Sequence, residues 1–243
     1  MSEPRWPIIA LAFTVLAGAA LTGCESSQDK ARKIQEQAIA SAPKPLVIPK
    51  PNKDVKVTDT ALIHDQNGDA VVVELKNESK ETLVNVPILV NVRDAKGKSV
   101  YENDTAGIDF ALNHVAVLEP GQTFYWVNDQ VTGQGKSAKV TVGEPEAKAP
   151  AGPLPELAVS PPKAGNDFSG AKVSGTVTDK SKLDQQHLIL FGVARQGGRI
   201  VAAGRGQIKA LKIDAKPAPY VIYFIGNPVG ADVTIQAPPT VLQ

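Results

Sequence analysis

The sequence has one cysteine, three histidines and few aromatic residues, and each shortage excludes a class of structure or function. Because Cys24 is the only cysteine, no intramolecular disulfide can form. His64, His114 and His187 lie far apart, and none has a second ligand at the spacing of a zinc site. The basic residues are not accompanied by aromatic residues on which bases could stack, so nucleic acid is not an expected partner.

Motifs for catalysis are also missing from the sequence. A serine nucleophile needs an oriented base, and serines such as Ser79 and Ser181 fall in polar turns. The glycines between 192 and 206 are not followed by a helix that could receive a phosphate. The run 65–69 begins like a calcium loop, but its glycine is in the wrong position, and Asn67-Gly68 between apolar runs predicts a hairpin. We therefore expect no catalytic residue, no metal and no cofactor.

The amino terminus carries the most specific motif of the chain. Residues 7–21 form an uncharged apolar run, shorter than the roughly 20 residues that cross a bilayer. Such a run before small residues is typical of a cleaved signal. It ends in Leu21, Thr22, Gly23 and Cys24, after which the chain becomes polar. This segment resembles the lipobox of bacterial lipoproteins, in which a thioether joins diacylglycerol to the cysteine and the signal is cut before it.

The resemblance implies a signal peptide at 1–23 and a membrane anchor on Cys24. The anchor would be covalent diacylglycerol, with long acyl chains such as palmitate, with or without an added N-acyl chain. Two or more acyl chains hold a protein stably on a membrane. The protein would then work on the extracytoplasmic face of the cell membrane, or at the outer membrane of a diderm source. The alternative is an uncleaved anchor followed by an ordinary cysteine.

The chain after Cys24 divides by composition into four parts. Residues 24–56 are polar and end in several prolines, which predicts a flexible tether. Residues 144–155 are rich in proline and alanine, which predicts a spacer between parts that move independently. Between and after them, 57–143 and 156–243 alternate apolar and polar residues with dense β-branching. We predict an all-β chain with two tandem immunoglobulin-like β-sandwich domains. The predicted strands are 70–76, 84–93, 107–112, 115–118, 123–127, 138–142, 171–178, 186–194, 199–203, 207–211, 220–225 and 232–236.

The two predicted domains share a rhythm that indicates a repeat. The polar turn that begins at Asn77 matches the one that begins at Asp179, and a long strand follows each. Gly97 and Gly198 then mark equivalent turns, and an aromatic strand lies near the end of each domain. Phe124 and Trp126 are expected in the core with Tyr125 outward, because neighbouring strand residues point to opposite faces. A binding patch built on these aromatics is the alternative.

The first domain also resembles the FxLYD-type β-sandwich domain of bacterial envelope proteins. Asp94 and Gly97 in one turn, and Pro120 and Gly121 in another, carry this resemblance. Residues 91–93 depart from the aromatic-Leu-Tyr positions of the family, and the second domain keeps only Gly198. The resemblance implies a fold and a cell-envelope setting, and it implies no catalytic residue.

Charge is divided unevenly between the domains. Residues 57–143 hold seven Lys and Arg against twelve Asp and Glu, whereas 155–243 hold ten against six. Five basic residues of the second domain fall on two adjacent predicted hairpins: Arg195, Arg199, Arg205, Lys209 and Lys212. They could be solvated strand faces, could dock one domain onto the other, or could contact an anionic surface such as lipid headgroups or a wall polymer.

These observations favour a membrane-anchored envelope lipoprotein that binds or scaffolds, with an envelope protein or an anionic wall polymer as partner. A solute- or polymer-binding receptor is the main alternative, and it would have a cleft between the domains. A cell-wall enzyme is the less favoured alternative, and it would need Asp, His or Ser side chains to converge in a pocket.

Overall fold

A computed structural model describes residues 44–242, and this part of the chain is all-β. Its sheets are antiparallel and pack as β-sandwiches, as the sequence predicts. The strands of the N-terminal half are β1 (Val55–Asp65), β2 (Gly68–Asn77), β3 (Leu83–Arg93), β4 (Ser99–Glu102), β5 (His114–Leu118), β6 (Thr123–Val131) and β7 (Ser137–Val142), with a short 3₁₀ helix at Phe110–Leu112.

Two sheets form the N-terminal half. One has the order β1-β2-β6, and in the other β3 pairs with β4, β5 and β7. Phe124 and Trp126 are fully buried in the core, which confirms their predicted place, and the indole Nε1 of Trp126 donates to Ala111 O at 3.0 Å. Consecutive residues of a strand point to opposite faces, so the complete burial of Val71, Val72 and Val73 shows that both faces of β2 are covered.

The C-terminal half shares four strand pairings with the N-terminal half. Its strands are β8 (Leu157–Val159), β9 (Lys163–Asp167), β10 (Gly170–Asp179), β11 (Gln185–Gln196), β12 (Arg199–Leu211), β13 (Ala218–Tyr223), β14 (Ile225–Gly226) and β15 (Asp232–Gln236). The pairs β1·β2, β2·β6, β3·β4 and β3·β7 recur as β9·β10, β10·β13, β11·β12 and β11·β15. The repeat predicted from the sequence is thus present in these four pairings, whereas β3·β5, β8·β10 and β12·β14 have no counterpart in the other half.

The repeat extends to the hydrogen bonds of the turn before each long strand. Asn77 Oδ1 accepts from Ser79 N at 2.9 Å, and Asp179 Oδ1 accepts from Ser181 N at 2.8 Å. Each serine hydroxyl then bonds the backbone two residues further on, at Glu81 and at Leu183. Short polar side chains that bond their own backbone in this way favour turns.

The predicted strands at 107–112, 199–203 and 207–211 take a different form in the structure. Residues 107–112 contain the 3₁₀ helix instead of a strand, because Asp109 caps it by accepting from Ala111 N at 2.9 Å. The predicted strands 199–203 and 207–211 are one continuous strand, β12. Gly204 lies in its interior, where a Cβ atom would come within 2.2 Å of Tyr223 O, so this glycine permits close packing against β13 and is not part of a turn.

The two segments assigned to tether and spacer contact the N-terminal half where the structure describes them. Leu46 N donates to Asp104 O, and Asn52 N donates to Val142 O. Beyond β7, Glu146 N and Ala147 N donate to the carbonyls of Asn85 and Val84. Proline-rich segments lack some donors but keep their carbonyls and remaining N–H groups, so they can line a strand edge.

Candidate functional site

The contact between the two halves, which we call the seam, is the best candidate for a functional site. On β11, Leu188, Leu190 and Ala194 face the core of the C-terminal half, while Phe191 and Val193 join the core of the N-terminal half. The rings of Phe124 and Phe191 meet edge to face across the seam, with centroids 5.1 Å apart. The sheet of β11 and β12 is therefore covered on both faces. The proline-rich composition of residues 144–155 predicts that the two halves move independently, whereas in the structure they pack together. The composition of a spacer carries no information on the strand faces of the halves that it connects.

A guanidinium group and two carboxylates form the most polar contact of the seam. Arg195 on β11 pairs with Glu74 and, at 3.2 Å, with Asp59. It also lies over the ring of Tyr125, 5.4 Å from the centroid. Asp59, Glu74 and Tyr125 are opposite one another in the registers of β1, β2 and β6, so the sheet presents them as one row. Such a row matches the planar, multidentate guanidinium better than it would match a lysine.

A second ion pair lies further along the seam. The carboxylate of Asp129 accepts from both the backbone N and the side-chain Nε of Arg205, at 3.1 and 2.9 Å. Only 10% of the Arg205 side chain is exposed. Since both donors converge on one carboxylate, this contact fixes β12 relative to β6 as well as neutralising the charge.

Two further contacts join backbone to side chain across the seam. Gly226 N donates to Asp65 Oδ2 at 2.7 Å. The amide of Gln236 accepts from Tyr125 N at 2.8 Å and donates to Thr123 O at 2.9 Å. The amide thus satisfies an edge of β6 much as a peptide group of a neighbouring strand would.

The five basic residues predicted as one cluster lie in different environments. Arg195 and Arg205 lie in the seam, paired with acidic residues of the N-terminal half. Lys212 pairs with Asp184 of its own half at 2.6 Å, and Arg199 and Lys209 are exposed. The docking interpretation of the charge asymmetry therefore accounts for Arg195 and Arg205, and only Arg199, Lys209 and Lys212 face solvent.

A cavity of about 240 Å³ opens at the seam, and both halves line it. The N-terminal half contributes the segment of the 3₁₀ helix and β5, and the C-terminal half contributes β11, β12 and the chain end. The lining residues are Asp109, Phe110, Ala111, His114, Ala116, His187, Ile189, Phe191, Gln207, Pro238 and Thr240.

His114 forms part of the cavity wall in a buried position. Its ring stacks on Phe110 with centroids 4.2 Å apart and an angle of 9°. Its Nδ1 lies 2.6 Å from Asn113 Oδ1, and its Nε2 lies 3.2 Å from Glu146 Oε2. Burial lowers the pKa of His114, and the carboxylate of Glu146 opposes this effect. His187, on the opposite wall, has a left-handed backbone with φ 49°.

His64 is the histidine whose contacts come nearest to those of a catalytic base. Its Nδ1 lies 2.5 Å from Asp69 Oδ1, and Gln134 Nε2 lies 3.0 Å from its Nε2. A base of this kind needs a nucleophile at its second nitrogen, and here an amide occupies that position. No group of three His, Cys, Asp or Glu suited to a metal occurs within residues 44–242. The hairpin predicted at Asn67-Gly68 joins β1 to β2, and Asp65 Oδ1 accepts from Asn67 N in its turn.

The predicted lipidation site cannot be placed on this structure. Leu21, Thr22, Gly23 and Cys24 lie outside the described residues. Within 44–242, no helix is long and apolar enough to cross a membrane. Neither the family models nor the curated proteins give a match to this chain.

The cavity residues and the role of Gln236 are not predictable from the local sequence. The sequence pattern predicts a strand over Asp109 and Phe110, and the only local signal against it is an aspartate two residues before the N–H group that it caps. Gln236 acts on residues more than 100 positions away, so no local pattern marks it.

Proposed function

We propose that this chain is a lipid-anchored extracytoplasmic lipoprotein whose all-β part is a binding or scaffolding module of the cell envelope, without catalytic activity. The observation that carries the proposal is the run Leu21-Thr22-Gly23-Cys24 after an uncharged apolar segment, with Cys24 the only cysteine of the chain. The membrane is the first partner, through diacylglycerol on Cys24. The FxLYD-like pattern around Asp94 and Pro120 supports the envelope setting.

The anchor is tested by replacing Cys24 with alanine. Cells that express the tagged protein are labelled with radioactive palmitate and then fractionated, with Ser26→Ala as the matched control beside the site. Wild type and Ser26→Ala should carry label in the membrane fraction. Cys24→Ala should carry none and should leave that fraction. A Cys24→Ala protein that stays in the membrane at the same apparent mass as the wild type would instead make residues 7–21 an uncleaved anchor.

The binding or scaffolding role is supported by how the charges of the two halves are used. Arg195 and Arg205 form ion pairs within the seam, so they are not available to an outside partner. The two joined halves present one continuous surface to such a partner. Arg199, Lys209 and Lys212 remain on the outside for an envelope protein or an anionic wall polymer. Crosslinking in cells, compared between wild type and Cys24→Ala, tests this role. One dominant protein captured only with the anchor present would support scaffolding, whereas capture of wall material alone would favour polymer binding.

A receptor for a small solute is the second candidate, and the seam cavity is the observation that favours it. Ligand sites occur preferentially between domains and have mostly apolar walls with a few polar groups. The cavity has this composition, with Phe110, Ile189 and Phe191 beside Asp109 and Gln207. Enzymatic activity receives no such support from the contacts of His64 or His114 described above.

A further inference from the structure

We propose that the seam cavity binds a small organic ammonium ion whose aromatic body lies against Phe110 and whose charge is met by Asp109. This inference rests on the binding role proposed above and names a class of ligand for it. It does not depend on the lipid anchor.

The aromatic part of the argument begins with the exposure of Phe110. His114 covers one face of the phenyl ring at 4.2 Å, yet 46% of the residue remains exposed. Phe110 is thus a large apolar side chain that borders a cavity and is only partly covered by the protein. A flat apolar group placed there would remove this apolar area from water, which favours binding. An offset stack on the ring would add to this.

The charge of the cavity decides between ligand classes. Asp109 is the only carboxylate among the described residues that line it, and neither lysine nor arginine is among them. The one hydrogen bond recorded for the Asp109 side chain within 44–242 is the cap to Ala111 N, made by Oδ1. Arg205, beside the neighbouring groove that Asp109 also lines, is engaged by Asp129. A positive ligand is therefore favoured over an anion.

The buried histidine supports the same choice. Burial disfavours the charged form of the His114 ring and lowers its pKa, so this ring does not favour an anion. Aromatic rings also attract cations through their faces. Gln207 and Thr240 supply neutral polar groups on the opposite wall.

The size of the cavity limits the ligand. At about 240 Å³ it falls below the range of roughly 300–1,000 Å³ that is usual for drug-sized molecules. A single ring with a short amine chain is of suitable size, whereas a peptide or a sugar polymer could enter only with one terminal group. We therefore choose phenethylammonium as the probe and phenylacetate as its anionic counterpart.

The test is a titration of the whole protein in lipid nanodiscs. Trp126 is a built-in reporter, since its indole donates to Ala111 O in the cavity wall, and Trp6 is replaced by phenylalanine so that it does not contribute to the emission. Phenethylammonium should change the Trp126 fluorescence in a saturable way and give the same dissociation constant by calorimetry. Phenylacetate should bind at least about tenfold more weakly, the factor that corresponds to about 1.4 kcal/mol, which is of the order of one charge-assisted hydrogen bond.

Three variants make the test specific. Asp109→Asn keeps a good helix cap and should weaken phenethylammonium binding about tenfold. Ala116→Phe should abolish binding by filling the cavity. Asp214→Asn removes one negative charge from an exposed turn with φ 54°, where asparagine is tolerated, and should bind like wild type. Thermal unfolding of each variant confirms that it is folded.

Three results would overturn the proposal. Absence of saturable binding to the folded wild type would remove the cavity as a ligand site. Equal binding of phenylacetate, or unchanged binding by Asp109→Asn, would show that Asp109 does not select the charge. Cys24→Ala protein should bind the probe like wild type, so a failure of the anchor and a failure of the cavity are separate results.

Discussion

The guanidinium of Arg195 is paired with the carboxylate of Glu74, which stands 121 positions earlier in the chain. Only 26% of the Arg195 side chain and 19% of the Glu74 side chain are exposed. Ion pairs at this degree of burial are costly to break, because the remaining charge is left without a partner away from water. The pair therefore helps to hold the C-terminal half in place against the N-terminal half.

Removing the charge of Arg195 should destabilise the protein. We expect Arg195→Gln to lower the free energy of unfolding by about 2 kcal/mol, since Glu74 and Asp59 lose a charged donor. Arg199→Gln, at the exposed end of the same hairpin, should change it by less than about 0.5 kcal/mol. Urea unfolding at low and high salt measures both. Equal stabilities for the two variants would show that the seam pair contributes nothing.

The seam should hold the halves together after the spacer is cut. A protease site inserted between Gly152 and Pro153, both exposed, allows cleavage in the folded protein. The two fragments should co-elute in gel filtration and unfold in one transition, because the hydrophobic core is continuous across the seam. The same insertion in an Arg195→Gln, Arg205→Gln double variant should let them separate. Wild-type fragments that elute apart, each with its own transition, would establish independent domains.

The buried histidine should make stability depend on pH. The folded-state pKa of His114 lies below its ordinary value of about 6.5, so the unfolded chain binds more protons than the folded protein in the interval between them. The contribution of His114 to stability should therefore be fully present above about pH 6.5 and should be lost as the pH falls towards the folded-state pKa. His114→Gln should flatten this part of the curve. Identical slopes for variant and wild type, measured by urea unfolding between pH 7 and 5, would contradict the assignment.

The interior glycine of β12 should not tolerate a side chain. A Cβ at Gly204 would meet the carbonyl oxygen of Tyr223, a backbone atom that cannot rotate away. We expect Gly204→Ala to lower the free energy of unfolding by about 1–3 kcal/mol. Gly152→Ala, where no atom lies within 4 Å, should be close to neutral. Thermal unfolding of the two variants makes the comparison, and a neutral Gly204→Ala would show that β12 and β13 are not packed this closely.

Much of the local structure follows from short-range chemistry. The alternation around Phe124 and Trp126 correctly predicts their place in the core, because strand geometry points neighbours in opposite directions. Tyr125, expected outward, is instead half-buried in the seam under Arg195, because the other half of the chain covers that face. The turns at Asn77 and Asp179 are predicted as equivalent because each serine and each Asx side chain bonds within a few residues. The segment 107–112 is predicted wrongly, since apolar spacing cannot weigh one aspartate cap against strand pairing.

Local sequence is sufficient to predict the all-β class, the hairpin at Asn67-Gly68, the repeated turn chemistry and the apolar segment before Cys24, because each depends on residues close together in the chain. Three features depend on the packing of distant strands: Arg195 and Arg205 face acidic partners, Gln236 satisfies the edge of β6, and Asp109 and Phe110 line a cavity with β11. These contacts join residues about 80 to 120 positions apart in the chain. Their formation depends on which strand faces pack together. The alternation of apolar and polar residues along a strand predicts which face is apolar, but it does not specify the face that packs against it.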